Sequence, residues 1–385
     1  MYNKKLVFLA ACIGMAFFGV AFIVMGSVLP LLTQKYNLDE IGASSLVTFL
    51  PIGILLGSLI FGPIVDRFGY KKLLVVSSLI TIIGIEGLTF FDKLNVLRSC
   101  IFLIGFGGGI LNGETNALTS NIYDDHERGA KLSLLGFFYG LGALGIPLLL
   151  GVLSKIYSYE VILKGTGVVM LLSVVYFLFI QFPRPKQSQS LSIRESFALI
   201  KAPALLLFSF ILFFQSGMEG LCNNWTTLYL SKTTSISSDK TVFILTFFVT
   251  GMVLARLLMS YILLHLKSFL VLYTGMLIAL SGFLLLYFSA SFTMAAISLF
   301  LIGFGLAEGF PLVLSFVGNT YKELSGTAFS IALFIALVGN SLLNYLMGFV
   351  AKTFDFTVFP LFLAINLILQ AIILFVALRL FIYKN

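Results

Sequence analysis

Five charged side chains stand inside strongly apolar stretches of this chain: Glu86, Glu114, Glu219, Arg256 and Glu308. A charge in such surroundings is costly, so each is a candidate for a solute pathway, a proton relay or a paired contact between helices. Glu219 has the richest company. Gln215, Glu219, Asn223 and Thr226 recur at helical intervals and make one polar stripe, with Asn224 beside it and Trp225 and Tyr229 as an adjacent aromatic edge. Amides and an acid next to an aromatic plate can bind the hydroxyls of a sugar, and the acid can also carry a proton. Asn112, Asn116, Thr119 and Tyr123 form a second, uncharged stripe, and Asn340 and Asn344 a third. The candidate solute ligands are therefore Asn112, Asn116, Gln215, Glu219, Asn223, Asn224, Trp225, Tyr229, Asn340 and Asn344. Glu219 is the candidate proton carrier, with Glu114 as its rival. The plainer alternative is that these amides and acids only join helices, with Trp225 and Tyr229 in an interfacial belt. Glu86 and Glu308 read as structural, and Arg256 as a helix–helix or gating contact.

No phosphate-cradling loop, metal-ligand spacing or nucleophile–base pattern occurs, which argues against an enzyme, a cofactor or a metal site. Cys12, Cys100 and Cys222 all lie in apolar runs and suggest neither disulfides nor redox chemistry. The net charge of +8 is dispersed between those runs, so it reads as a topology signal rather than a nucleic-acid surface.

The elements that must position these residues are membrane spans. Hydrophobic residues make up 59% of the 385 and charged residues 10%, and the mean hydropathy is +1.07. A chain this apolar needs the bilayer as solvent, and each span needs about 20 apolar residues. The pattern predicts an all-α membrane protein with helices near 6–32, 44–65, 72–91, 97–121, 131–154 and 161–182. Six more follow near 203–230, 241–264, 268–289, 292–318, 326–351 and 357–380. Lys4 and Lys5 precede a run too long for a signal peptide. The expected organisation is a six-helix half over 1–182, a polar linker over 183–202 and a second half over 203–385. With both termini cytoplasmic, fifteen Lys and Arg residues fall inside and eight outside, which favours a multi-pass protein of the cytoplasmic membrane in that orientation. The halves repeat: an offset of 198 positions brings Phe102–Gly107 onto Phe300–Gly305, Gly19 onto Gly217 and Gly53 onto Gly251.

Between the second and third spans the chain reads GPIVDRFGYKK, Gly62 to Lys72. This resembles the loop signature of the major facilitator superfamily. The resemblance implies two parallel six-helix repeats with the solute bound near the midplane between them. It also implies a gating loop made by Gly62, Asp66, Arg67, Gly69 and Lys71. Asp66 would face the N-terminus of a helix from the other half, where a carboxylate is favoured. The matching stretch of the second half keeps Arg256 and Lys267 but has no Asp. GFGGGILNGETNALTSNIY in the fourth span, GFFYGLGALGIPLLLG in the fifth and FFQSGMEGLCNNWTTLYL in the seventh resemble the fucose-permease-like branch, whose members are mostly sugar–proton symporters. That branch often carries an acid in the first span, four residues before a proline; here Gly26 precedes Pro30. Its fourth-span acid is replaced by Asn112, four residues before Asn116. The resemblance thus implies a proton-coupled solute carrier with sugar as the expected cargo; a monomer is expected, and Glu219, on its own surroundings in the seventh span, is the candidate for the coupling role. Alternatives are a proton-driven exporter of a drug or metabolite and a non-transporting membrane sensor or accessory protein. The arginine that exporters carry in the fourth span is replaced by Ile101.

Overall fold

A computed structural model describes residues 2–37, 40–154, 156–184, 199–234, 236, 238–322 and 324–381. The polar linker read from the sequence lies mostly outside them. Among the described residues the secondary structure is helical, without strands. The first six spans are α1 (Lys4–Lys35), α2 (Glu40–Phe68), α3 (Tyr70–Phe90), α4 (Leu94–Ile122), α5 (Asp125–Leu153) and α6 (Tyr159–Phe179). The next six are α7 (Pro203–Thr233), α8 (Ser238–Ile262), α9 (Ser268–Tyr287), α10 (Phe292–Leu306 and Gly309–Thr320), α11 (Ser325–Phe354) and α12 (Phe359–Phe381). All twelve are long and apolar enough to cross a bilayer. Hydrocarbon offers no partner to a bare N–H or C=O, so each apolar run closes its hydrogen bonds within itself.

Local chemistry sets several ends. The Asn3 side chain accepts from the backbone N–H groups of Lys5 and Leu6 and starts α1. The Ser291 side chain accepts from Met294 N–H and starts α10. Pro203 opens α7, where a missing N–H costs nothing. Gly69 alone joins α2 to α3 at φ 81°, a conformation in which a Cβ would be strained.

Two compact units emerge. The first comprises Met1–Ile122, Phe138–Phe197 and Tyr321–Ser330; the second comprises Tyr123–Phe137, Ala198–Thr320 and Ile331–Asn385. The division therefore departs from a simple cut at the linker. The first turns of α5 pack with the second unit, and the first turns of α11 with the first.

Within each unit the 198-residue repeat reappears as the same glycine contacts. A Cβ on Gly53 of α2 would strike the Phe102 carbonyl of α4, and one on Gly251 of α8 the Phe300 carbonyl of α10. Gly105 lies against Leu50 and Gly303 against Phe248. Gly84 meets Cys100 and Ile104, and Gly282 meets Ser298 and Ile302. Every one of these pairs differs by the same 198 positions. Small residues let helix backbones approach closely, and van der Waals packing then holds helices together where lipid supplies no hydrophobic drive. The sequence repeat is therefore a repeat of helix-packing seams.

One feature breaks the repeat. The tenth span, expected as a single helix over 292–318, is interrupted at Ala307–Glu308. The matching place in α4 is continuous helix. The break releases backbone carbonyls inside the second unit, and polar side chains have gathered there.

Candidate functional site

The second unit holds most of the candidates. On α7, Glu219 is half-buried, Asn223 and Asn224 are exposed, and Trp225 is half-buried. The Trp225 indole N–H and the Asn224 amide both donate to Asn344 Oδ1 on α11, at 3.0 Å each. Asn344 Nδ2 reaches the Asn340 carbonyl at 2.8 Å and its Oδ1 at 3.2 Å. Asn340 Nδ2 in turn donates to the Ser216 carbonyl at 2.9 Å. Asn224, Trp225, Asn340 and Asn344 thus form one hydrogen-bonded strip along α7 and α11, with the indole ring 6.1 Å from the Phe356 ring. Asn223 Nδ2 turns back to the Glu219 carbonyl at 2.8 Å. Amide groups that are tied to one another but still exposed can exchange those bonds for the hydroxyls of a solute.

Tyr229 does not share this strip. It is buried, its hydroxyl donates to the Leu286 carbonyl at 3.3 Å, and its ring packs 5.4 Å from Phe359. It lies one turn beyond Trp225 on the same side of α7, where it contacts α9 and α12 outside the hydrogen-bonded strip. Thr226 is fully buried, and its hydroxyl lacks a partner among the described residues.

Gln215 and Glu219 lead inward to the break of α10. Gln215 Nε2 donates to Glu219 Oε1 and to the freed Leu306 carbonyl, both at 2.7 Å. Gln215 Oε1 accepts from Gln370 Nε2 of α12 at 3.0 Å. A side chain on Gly309 would collide with the Gln215 amide. Arg256 of α8 donates from Nε to the Ala307 carbonyl at 3.3 Å and from Nη1 to the Gly136 carbonyl at 3.2 Å. Glu308 is buried beside them and meets Ser133 of α5. Arg256 and Glu308, expected as structural or helix–helix contacts, both contact α5 and stand at the break that Gln215 also reaches. Ser133, Ser216 and Gln370 were not candidates. Gln370 could have been noticed as an amide within an apolar run, whereas Ser133 meets Glu308 across 175 residues of chain and leaves no local spacing to read.

The first unit holds the fourth-span stripe. Asn116 Nδ2 donates to the Asn112 carbonyl at 2.8 Å and lies 3.2 Å from Asn112 Oδ1. Asn112 is half-buried and Asn116 buried. Glu114 faces a different way. It is buried against α3, with Oε1 2.7 Å from the Ser77 hydroxyl. Glu86 lies against Gly167 of α6, the helix-contact role expected for it. A cleft of about 470 Å³ between α1, α5 and α6, bordered by Phe17, Ile146, Leu149 and Met170, offers apolar side chains and none of the candidate ligands.

The loop signature also belongs to the first unit. Asp66 accepts from Gly326 N–H at 3.2 Å, Thr327 N–H at 2.9 Å and the Thr327 hydroxyl at 2.8 Å. These are free donors in the first turn of α11, where a carboxylate also meets the positive end of the helix dipole. Gly62 lies one turn earlier, and a Cβ there would come within 2.7 Å of Thr327 Cα. Ser330 of α11 donates to the Leu59 carbonyl. Lys71 caps the far end of α6, donating to the carbonyls of Leu178 at 2.6 Å and Ile180 at 3.1 Å. Arg67 is exposed, 5.2 Å from the Phe68 ring. The loop therefore clamps two helix termini of opposite polarity with side chains of opposite charge.

Comparison with known proteins agrees with this architecture. The chain is 22% identical over 338 residues to a TsgA homologue of Buchnera aphidicola, covering 85% of this chain and 84% of that protein. It is 23% identical over 352 residues to the glucose/mannose transporter GlcP of Bacillus subtilis, with 87% and 86% covered. In three dimensions it resembles the fucose:proton symporter FucP of Escherichia coli, with a TM-score of 0.82, 16% identity and coverage of 96% and 98%. The proton:xylose symporter XylE gives 0.73 at 16% identity, covering 97% and 95%. The fold expected from the fucose-permease-like resemblance is the fold found. A profile of the Major Facilitator Superfamily matches residues 9–342, a stretch that takes in the Asp66 clamp and both glycine-packed repeats: the chain belongs to that superfamily.

Proposed function

We propose that this protein is a secondary transporter that carries a sugar across the cytoplasmic membrane together with a proton, acting as a monomer, with Glu219 as the coupling carboxyl. The observation that carries the reading is the position of Glu219. It is a half-buried acid between a partly exposed amide-and-indole strip, suited to hydroxyl groups, and a buried polar centre at the break of α10. Small-ligand sites combine apolar walls with a few convergent polar groups, and the strip supplies those groups. GlcP, FucP and XylE, similar to this chain, carry glucose/mannose, fucose and xylose, which points to the same class of solute. Asn112 and Asn116 remain proposed solute ligands on α4.

Ligand-dependent stability tests the binding part. A sugar present at a hundred times its dissociation constant stabilises the folded protein by about 2.7 kcal/mol, so the recognised sugar is expected to raise the thermal midpoint of the purified protein. Asn344→Ala is expected to remove that rise, because it deletes the acceptor shared by Asn224 and Trp225, and to lower the ligand-free midpoint by about 2 °C through the hydrogen bonds it loses. An unchanged ligand response in Asn344→Ala would place the solute elsewhere.

The orientation proposed from the charge bias places both termini and the 183–202 linker in the cytoplasm. Reporters fused after Asn385 and within 186–196 should both give cytoplasmic signals. A signal from the opposite side at either point overturns the orientation.

A further inference from the structure

Two buried glutamines stand behind Glu219. Gln215 is 2% exposed and Gln370 of α12 is 1% exposed, so neither is open to a solute. Gln215 Nε2 has two hydrogens and both are taken: one goes to Glu219 Oε1 and the other to the Leu306 carbonyl, each at 2.7 Å. Gln215 Oε1 accepts from Gln370 Nε2 at 3.0 Å, and the second hydrogen of Gln370 goes to the Ile211 carbonyl at 3.3 Å. A main-chain carbonyl can only accept. The Leu306 carbonyl, freed by the break of α10, therefore holds the nitrogen of Gln215 on the Glu219 side. The Ile211 carbonyl likewise holds the nitrogen of Gln370 on the Gln215 side. Turning either amide over would set oxygen against oxygen. Gly309 closes the space around them, since a side chain there would collide with the Gln215 amide.

The consequence falls on Glu219. An amide oxygen facing this carboxyl could be met only by a protonated acid; an amide nitrogen can be met by either form. A hydrogen bond to a charged acceptor is stronger than one between neutral groups, so a fixed N–H gives more to the carboxylate than to the acid. The next amide along the stripe does not supply it: Asn223 Nδ2 turns to the Glu219 main-chain carbonyl. Among the described residues, Gln215 is the hydrogen-bond donor that reaches the Glu219 carboxyl.

We infer that Gln215 and Gln370 are positioning residues for Glu219: a relay of two amides, oriented by the Leu306 and Ile211 carbonyls, that keeps an N–H on the carboxyl and so favours the form that has released its proton. Gln215, a candidate solute ligand by its spacing, thus serves the acid instead of the solute. Gln370 acts through Gln215. Without it the Gln215 oxygen is left buried and unpaired, a state that folded proteins avoid, and the amide is no longer held at both ends. The break of α10 gains a purpose, since it frees the carbonyl that orients Gln215. The titratable groups around Glu219 are Arg256 of α8 and the Cys222 thiol of α7, both within electrostatic reach, and Glu308 of α10, which stands at the break. From α12 and α11 the neighbouring polar groups are neutral amides, Gln370 and Asn340. Replacing either glutamine leaves all the charged groups in place, so differences between variants report the relay. The part of the relay in transport rests on Glu219 being the coupling carboxyl.

Infrared titration of the purified full-length protein tests the relay. The Glu219 signal is the protonated-carboxyl band that is missing in Glu219→Gln. Methionine resembles glutamine in length and shape but can neither donate nor accept as an amide does. In Gln215→Met the pH at which half the band is lost should rise by about one unit, the difference between a hydrogen bond to a charged group and one to a neutral group. Gln370→Met should raise it by a smaller amount, and should add nothing in the Gln215→Met background. Gln370→Met leaves the Leu306 carbonyl served, which keeps the test readable if Gln215→Met folds poorly. An unchanged midpoint in Gln370→Met overturns the relay, and a shift by Gln370→Met that persists in the Gln215→Met background overturns its action through Gln215. The pH dependence of solute uptake separates the two claims. If its alkaline limit moves up with the band, both stand; if the band moves and the uptake profile does not, the relay stands and the coupling role of Glu219 fails.

Discussion

Glu219→Gln is expected to abolish accumulation of the solute against its gradient while preserving exchange of solute across the membrane. Glutamine has the same size and keeps an oxygen to accept from Gln215 Nε2, so the link to the break of α10 survives. What disappears is the ability to load and release a proton. One pH unit across the membrane is worth about 1.4 kcal/mol per proton, or roughly a tenfold accumulation for one-to-one coupling. The wild type should approach that ratio under such a gradient, and the variant should stop at equal concentrations. Exchange should persist because a neutral amide resembles the protonated acid. If accumulation survives in Glu219→Gln and is lost in Glu114→Gln, span four carries the proton instead. The burial of Glu114 against Ser77, turned away from Asn112 and Asn116, argues against that outcome.

Asp66→Asn should open the first turn of α11. The carboxylate now serves three donors with two oxygens. An asparagine can accept with one oxygen only, and its amide would confront a backbone N–H that also donates. Hydrogen bonds to a charged group contribute roughly 1.5–3 kcal/mol, so a net loss of about 2 kcal/mol is expected. That corresponds to roughly a thirtyfold rise in the open population, read as faster hydrogen exchange at the Gly326 and Thr327 amides. Because α11 begins in one compact unit and continues in the other, the same variant should shift the balance of transport states, measured by cysteine accessibility from each side. Unchanged exchange at these two amides would mean that the clamp contributes little.

The contrast between fold and site shows what a single sequence can express. Span positions were legible because each helix must be apolar over bilayer thickness, and the repeat was legible because Gly53, Gly105 and their partners at Gly251 and Gly303 sit in seams that tolerate no side chain. The Asn224, Trp225, Asn340 and Asn344 strip was half legible: helical spacing aligned residues along α7 and along α11, but nothing in either segment announced that Asn344 accepts from both Asn224 and Trp225. Tyr229 shares the helical face of Trp225 one turn on, and its spacing did not reveal that it is buried against Leu286 and Phe359. The polar centre around Glu308 was illegible. Its members come from α5, α7, α8, α10 and α12; Pro311, which cannot donate to the Ala307 carbonyl four residues back, signals a break, but nothing local shows which side chains gather there. Only the three-dimensional arrangement shows that Gln215 and Arg256 both reach the break at which Glu308 stands.

The most direct test of the account is solute-driven proton movement. The protein is reconstituted into vesicles enclosing a pH-sensitive dye, and a panel of hexoses and pentoses is added outside at equal pH. Proton-coupled sugar transport predicts that at least one sugar acidifies the vesicle interior as it enters, that a protonophore abolishes the acidification, and that Glu219→Gln does not show it. Sugar entry with no pH change, or no response to any sugar alongside expulsion of a drug-like solute on imposing a proton gradient, would contradict it.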